Sequence, residues 1–144
     1  MDAGRVAFLA VAFLTHGAVG YALVRAFTDV DPAVGFVLGI VPDADFLFPA
    51  AWGMPFVHRG ITHTLLFVVA VVAVTSPWRS PRRIGPASAL AVGSHLVIDS
   101  GSAMGVAWLF PLGIRASGDL PVHGPAGTLA LWGLSVGLLV WSGE

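Results

Sequence analysis

Apolar residues run along this chain in long stretches that short polar or proline-containing breaks separate. A helix needs about 20 apolar residues to cross the hydrocarbon layer of a bilayer. The first stretch, Val6 to Phe27, meets that length and includes His16 and Arg25 among its apolar residues. The pattern predicts an all-α fold, a multi-pass transmembrane helical bundle of four to five spans.

The later stretches are broken more visibly. Asp31-Pro32 is typical of a helix N-cap followed by proline at the first helical position, and it precedes the second span. Pro42-Asp43-Ala44-Asp45 interrupts that span, and Gly85-Pro86 precedes the fourth. The remaining predicted spans are Ala33 to Trp52, Thr62 to Pro77, Ala87 to about Met104, and the shorter Ala126 to Trp141.

Composition supports lipid as the surrounding solvent. Charged residues make up 10% of the chain and hydrophobic residues 56%, whereas soluble domains carry about 25% charged residues. The mean hydropathy is +0.86, so a polar outer shell cannot be built from this sequence. We therefore predict a single domain over residues 1–144 in the plasma or inner membrane, with membrane lipids as its partners.

Charge and cysteine content argue against a nucleic-acid-binding protein and exclude a cysteine-based metal site. The net charge is -1, and the one basic group, Arg79, Arg82 and Arg83, lies in a short loop, which argues against a nucleic-acid partner. That arginine group predicts that its loop is cytoplasmic and the N-terminus outside. Cysteine is absent, so any metal would be held by nitrogen and oxygen atoms.

Ionisable residues occur in four groups within or beside the apolar spans. One such side chain at the bilayer centre costs at least about 2.5–3.5 kcal/mol, so several would be buried only for a purpose. If consecutive spans cross the membrane in opposite directions, all four groups lie at a similar depth, between the midplane and one face of the membrane. They are Thr15-His16, Pro42-Asp43-Ala44-Asp45, His58-Arg59-Gly60-Ile61-Thr62-His63, and Ser94-His95-Leu96-Val97-Ile98-Asp99. This coincidence favours a metal or proton site over a structural cluster.

Spacing within the groups fits ligation in part. His95 and Asp99 are four residues apart and share one helical face, whereas Asp43 and Asp45 share a cavity only if Pro42 disturbs the helix. Imidazole and carboxylate without thiolate suit zinc, manganese or iron. His123 lies in a polar loop and is expected to be exposed.

The order of these motifs resembles the YdjM-like family of membrane-bound metal-dependent hydrolases. The motifs are TH at 15–16, PDxD at 42–45, HRGxTH at 58–63, SHLxxD at 94–99 and GVxxLxP at 105–111. A more distant likeness links them to zinc-dependent phospholipases C and P1-type nucleases. That likeness implies five metal ligands: His16, Asp45 (or Asp43), His63, His95 and Asp99. The counterpart of Asp99 bridges two metals in those enzymes. Their third metal set has no match here, which implies one or two ions, with zinc favoured.

The resemblance also implies a chemistry. We expect a membrane-embedded hydrolase of a phosphoester or related ester bond in an amphiphilic or lipid substrate. Asp43 is the expected general base, and Arg59 is expected to bind the anionic group of the substrate. His58, Thr62 and Ser94 are expected beside the ligands. The alternative is a small divalent-metal or proton transporter or channel that uses the same buried residues.

Overall fold

The computed structural model describes residues 2–76 and 84–143, and their regular structure is helical. These two ranges contain five α-helices and three 3-10 segments, Val41–Leu47, Ala50–Trp52 and Ile61–His63. Within the described ranges the β structure is a single bridge between Val106 and Ala116. The predicted all-α class is confirmed. The α-helices are α1 (Ala3–Phe27), α2 (Pro32–Ile40), α3 (Leu65–Thr75), α4 (Ile84–Ser100) and α5 (Pro125–Trp141).

One helix of the described part, α1, is both long and apolar enough to cross a bilayer, and α3 and α5 are shorter apolar helices. At about 1.5 Å per residue, α1 extends about 37 Å and α3 about 16 Å. The four-to-five-span arrangement therefore stays a prediction. The end of the third predicted span at Pro77, and the arginine group used for the orientation, lie outside the described residues.

The second predicted span differs most from the structure. Its start is confirmed, because the Asp31 carboxylate accepts a hydrogen bond of 2.9 Å from the backbone N–H of Ala33. The α-helix ends at Ile40, however, and the chain continues as a 3-10 segment up to Leu47. Proline lacks an N–H and its ring clashes with the carbonyl four residues earlier, so Pro42 prevents α2 from continuing. Asp43 and Asp45 consequently lie in the 3-10 segment.

The third predicted span differs from the structure at its start, and the fourth differs at both ends, since α4 begins at Ile84 rather than Ala87. α3 begins at Leu65, where the Thr64 hydroxyl caps it by accepting from the backbone N–H of Phe67 at 3.1 Å. His63 therefore belongs to a separate 3-10 turn before the helix. α4 ends at Ser100 rather than near Met104, with Asp99 in its last turn.

Glycines let α1 and α2 approach closely. A Cβ atom on Gly20 would run into the carbonyl oxygen of Gly35, and one on Gly39 would lie 2.5 Å from the carbonyl oxygen of His16. Such contacts allow backbones to touch where larger residues would hold them apart. The end of α2 is thereby held against the middle of α1, at His16.

The interior of the described part contains as many polar and charged side chains as apolar ones. Val24, Val92 and Leu96 belong to the apolar core. Large apolar side chains remain outside, including Val74 on α3 at 81% exposure and Leu134 on α5 at 71%. The polar groups are thus concentrated inside and many large apolar groups lie outside.

Candidate metal centre

All five histidines of the chain meet in one cluster with Asp43, Asp45 and Asp99. Five separate parts of the chain supply them. His16 comes from the middle of α1, the aspartates 43 and 45 from the 3-10 segment after α2, and His95 and Asp99 from α4. His58 and His63 precede α3, and His123 precedes α5. The convergence expected from the alternating threading is therefore present in the fold.

His95 presents an unprotonated nitrogen to the cluster. Its Nδ1 lies 2.7 Å from the carbonyl oxygen of Gly39, which can only accept, so Nδ1 carries the proton. In a neutral imidazole the Nε2 atom then has a free lone pair. That Nε2 lies 3.6 Å from Asp43 Oδ1, 3.7 Å from Asp99 Oδ2 and 3.2 Å from His63 Nε2.

His63 is held in the same way from the other side. Its Nδ1 lies 3.2 Å from Asp45 Oδ2, a carboxylate oxygen that only accepts. The Thr62 hydroxyl donates to that oxygen at 3.0 Å and lies 3.0 Å from the same Nδ1. The proton of His63 therefore belongs on Nδ1, and Nε2 faces Asp99 Oδ2 at 3.4 Å and Asp43 Oδ1 at 3.8 Å.

Four hydrogen-bond acceptors thus face one another: the Nε2 atoms of His63 and His95, and one oxygen each of Asp43 and Asp99. Lone pairs directed at each other repel unless a cation lies between them. The two Nε2 atoms lie 3.2 Å from each other and 3.4–3.8 Å from the two carboxylate oxygens. A tetrahedral metal with bonds of about 2.0–2.1 Å separates its ligand atoms by about 3.3 Å. The donor set and its spacing fit a divalent transition metal.

A second group of ligand atoms lies beside the first. His123 Nε2 is 3.0 Å from Asp99 Oδ1 and 3.3 Å from His16 Nε2. His16 Nε2 is itself 3.5 Å from Asp99 Oδ1, and its ring stacks on His95 with 3.8 Å between centroids. The Nδ1 atom of His16 is buried without a hydrogen-bond partner.

The expectation that His123 is an exposed loop residue is wrong. Its side chain is 17% exposed and contacts Asp99. Hydrogen bonds from Leu120 N to Gly101 O, at 3.0 Å, and from Gly118 N to Ser102 O, at 3.3 Å, tie the loop to the end of α4. These bonds bring the loop back over the cluster. One feature of the sequence pointed to a role for His123: the other four histidines of the chain all fall in the motifs.

Asp43 and Asp45 occupy different environments. Asp45 accepts hydrogen bonds from His58 Nδ1 at 3.1 Å, from the backbone N–H of Arg59 at 3.1 Å and from Thr62. Both of its oxygens are therefore committed. Asp43 belongs to two of the groups whose ligand atoms all lie within 4.8 Å of one another, and Asp45 belongs to none of those found in the described ranges. The geometry favours Asp43 over Asp45 as the ligand, one of the two alternatives that the sequence left open.

Arg59 is directed at a ligand rather than left free. Its Nη2 lies 3.0 Å from Asp99 Oδ1, and its Nη1 donates to the Ser102 hydroxyl at 2.6 Å. The residue is buried and has a φ of 60°, a left-handed conformation that occurs often at functional sites when surrounding contacts enforce it. Its predicted role as an anion clamp stays a prediction.

Of the three residues predicted to lie beside the ligands, two contact the cluster and Ser94 bonds its own helix. Thr62 and His58 both bond Asp45, and the His58 ring is 30% exposed and stacks on Phe46 at 4.2 Å. Ser94 instead donates to the Ala91 carbonyl of its own helix. Within the described residues it makes no hydrogen bond to the cluster.

A cavity of about 490 Å³ opens beside the cluster. Its polar wall is formed by His16, Asp43, His58, Arg59, Asp99 and His123. Its apolar wall comes mainly from α1 and the 3-10 segment: Phe8, Leu9, Ala12, Phe13 and Phe46. His63 and His95 lie behind the polar wall with no exposed surface. The cavity thus joins an apolar surface to the His/Asp cluster.

Comparison with known families agrees with the motif order. The sequence profile of the YdjM inner membrane protein family matches residues 11–142, nearly the whole chain. The chain belongs to this family. The resemblance suggested by the motifs is thereby confirmed at the level of the family, which groups inner membrane proteins.

This YdjM-family chain is similar to two curated proteins over about half of its length. The chain is 33% identical over 75 residues to the uncharacterized protein YvsG of Bacillus subtilis (strain 168), covering 52% of this chain and 46% of that protein. It is 38% identical over 88 residues to the inner membrane protein YbcI of Escherichia coli (strain K12), covering 54% and 51%. The chain spans about half the length of these relatives. No solved structure matches it significantly.

Proposed function

We propose that this YdjM-family chain is a membrane-embedded, metal-dependent hydrolase of a phosphoester or related ester bond in an amphiphilic substrate. One observation carries the metal centre: the Nδ1 atoms of His63 and His95 lie 3.2 and 2.7 Å from acceptor oxygens, which leaves the Nε2 atom of each ring directed at the Asp43 and Asp99 carboxylates. Orientation of metal-binding histidines by a carboxylate or backbone carbonyl is a general feature of metal sites.

The membrane setting is supported by the family and by the distribution of side chains. Large apolar residues cover the outer faces of different helices, such as Val37 on α2, Leu66 on α3 and Leu134 on α5. Exposed apolar surface on this scale would be unfavourable in water but not in lipid. We propose an inner-membrane location with the helices arranged as the predicted multi-pass bundle.

The residues proposed to hold the metal are His63, His95, Asp43 and Asp99, with zinc favoured and manganese or iron as alternatives. A divalent cation there supplies a Lewis acid for the scissile phosphoryl or acyl group and for the attacking water. Asp45 and Thr62 position His63, and the Gly39 carbonyl positions His95.

We assign the general base to His58 rather than to Asp43, whose carboxylate belongs to the metal ligands. A general base must reach the water and have a free lone pair. His58 lines the cavity and is the most exposed of the five imidazoles. Its Nδ1 bonds Asp45 Oδ1 at 3.1 Å, which leaves Nε2 free to accept a proton. Asp45 therefore serves both His58 and His63.

The shape of the cavity supports an amphiphilic substrate. The polar wall would receive the head group, and the apolar wall formed by Phe8, Phe13 and Phe46 would receive a hydrocarbon chain. Arg5, exposed on the first turn of α1, lines the same cavity and offers a cation for an anionic head group. Arg59 is already paired with Asp99, so we propose that it positions this carboxylate.

The test is hydrolysis by purified protein in lipid nanodiscs, loaded with zinc or manganese and assayed with phospholipids and lipid phosphates. We expect slow cleavage that a chelator abolishes. His58→Gln should reduce turnover at least tenfold while metal content, measured by elemental analysis, stays unchanged. Asp119→Asn, an exposed carboxylate change, is the control. Metal-loaded protein that cleaves nothing on this panel, yet moves divalent ions across liposomes, would support the transporter alternative instead.

A further inference from the structure

We propose a second metal position in the same cluster, formed by His16, His123 and the Oδ1 atom of Asp99. The proposal rests on the metal centre described under Proposed function and adds a ligand, His123, that neither the motifs nor the family assigns. In this arrangement Asp99 bridges two ions, one on each of its oxygens.

The two oxygens of Asp99 face different histidine pairs. Oδ2 lies 3.4 Å from His63 Nε2 and 3.7 Å from His95 Nε2. Oδ1 lies 3.0 Å from His123 Nε2 and 3.5 Å from His16 Nε2. Here the pairs are divided between the oxygens, as a bridging carboxylate requires.

The contact between His16 and His123 also fits a cation. Their Nε2 atoms are 3.3 Å apart, a pair that can share at most one proton, and both also face the same carboxylate oxygen. The distances of 3.0, 3.3 and 3.5 Å among the three ligand atoms are close to the edge of about 3.3 Å expected around a tetrahedral metal. Arg59 Nη2 forms an ion pair with Oδ1 at 3.0 Å, but this buried oxygen has no hydrogen-bond partner, so its lone pairs are available to a metal.

The two positions differ in access. The first has four protein ligands, two of which are fully buried histidines. The second has three, and all of them line the cavity. Catalytic metal sites keep one coordination position open, and three protein ligands leave such a position at the second site. We therefore assign to an ion at the second position direct contact with the substrate, beside the ion at the first position.

Metal stoichiometry tests this inference independently of activity. Purified protein loaded with Zn²⁺ or Mn²⁺ and freed of loosely bound ions should contain about two equivalents by elemental analysis. With two Mn²⁺ ions, the electron paramagnetic resonance spectrum should show the exchange-coupled signal of a bridged pair. His123→Ala and the milder His123→Gln should lower the content to about one equivalent and convert the signal to that of isolated Mn²⁺. Asp119→Ala, in the same loop and exposed, should retain two.

The outcomes separate this inference from the proposed function. One equivalent in the unaltered protein, unchanged in His123→Gln, would overturn the second position and leave a single-metal hydrolase intact. Loss of both ions in His123→Gln would also overturn it, because His123 would then belong to the first site. Protein that binds neither ion contradicts both proposals.

Discussion

Asp45→Asn is the most informative single substitution, because it keeps the shape of the side chain and changes only its hydrogen bonding. Asp45 accepts from His58, from the backbone N–H of Arg59, from Thr62 and from His63, at 3.0–3.2 Å. An asparagine offers one acceptor oxygen and one NH₂ donor. Whichever way the amide turns, its NH₂ group faces at least one donor of the protein.

The substitution should affect metal binding by moving the proton of His63 from one ring nitrogen to the other. If the NH₂ group faces His63, its Nδ1 must accept, and the proton moves to Nε2, where it blocks the metal. Substitution of such orienting partners typically lowers metal affinity 10–100-fold, equivalent to about 1.4–2.8 kcal/mol at about 1.4 kcal/mol per tenfold. If the NH₂ group faces His58 instead, turnover should fall while the affinity for the metal changes less.

Competition with a chromophoric zinc chelator measures this effect, with thermal unfolding as a check on folding. Asp43→Asn serves as the comparison, because removal of a direct ligand should abolish binding at the first position. Unchanged affinity and unchanged turnover in folded Asp45→Asn protein would refute the orienting role. Complete metal loss in Asp45→Asn, with retention in Asp43→Asn, would restore the sequence-based assignment of Asp45 as the ligand.

Two further predictions use the surroundings of the site. Gly39→Ala should lower the free energy of unfolding by about 1–3 kcal/mol and weaken metal binding. The new Cβ would lie 2.5 Å from the His16 carbonyl oxygen and displace the Gly39 carbonyl that holds His95. Gly137→Ala, whose Cβ meets no atom within 4 Å, should have neither effect. Arg59→Ala should destabilise the metal-free protein more than the zinc-loaded protein, since only a bound cation can replace the guanidinium beside Asp99; equal shifts in unfolding temperature with and without zinc would contradict this.

Regular helices made part of this site predictable. His95 and Asp99 share one face of α4 because a spacing of four residues fixes their relation in any α-helix, and the structure has both in that helix. The depth of His16 in the membrane was predicted in the same way, from its position along α1. Alternation of apolar segments then brought the groups together without knowledge of their contacts.

Irregular segments account for what the sequence did not reveal. Pro42 indicated a break, but not the 3-10 path that gives Asp43 and Asp45 different neighbours. His123 was missed because its loop has no periodic pattern, and its path depends on backbone hydrogen bonds to Gly101 and Ser102. Arg59 was predicted to be free for a substrate, and its pairing with Asp99 requires a left-handed backbone that a spacing pattern does not indicate.

The buried charges give a further reason to expect cations in this cluster. In the described part of the chain the buried charged residues other than histidine are three aspartates, Asp43, Asp45 and Asp99, and one arginine, Arg59. With neutral histidines they carry two excess negative charges. Each uncompensated buried ion costs several kcal/mol even after relaxation, so one divalent cation would restore neutrality. A second divalent cation would leave two positive charges facing the cavity. A phosphomonoester dianion balances that excess and a phosphodiester halves it, whereas a neutral carboxylic ester does neither, so the two-metal arrangement favours the phosphoester among the proposed substrates.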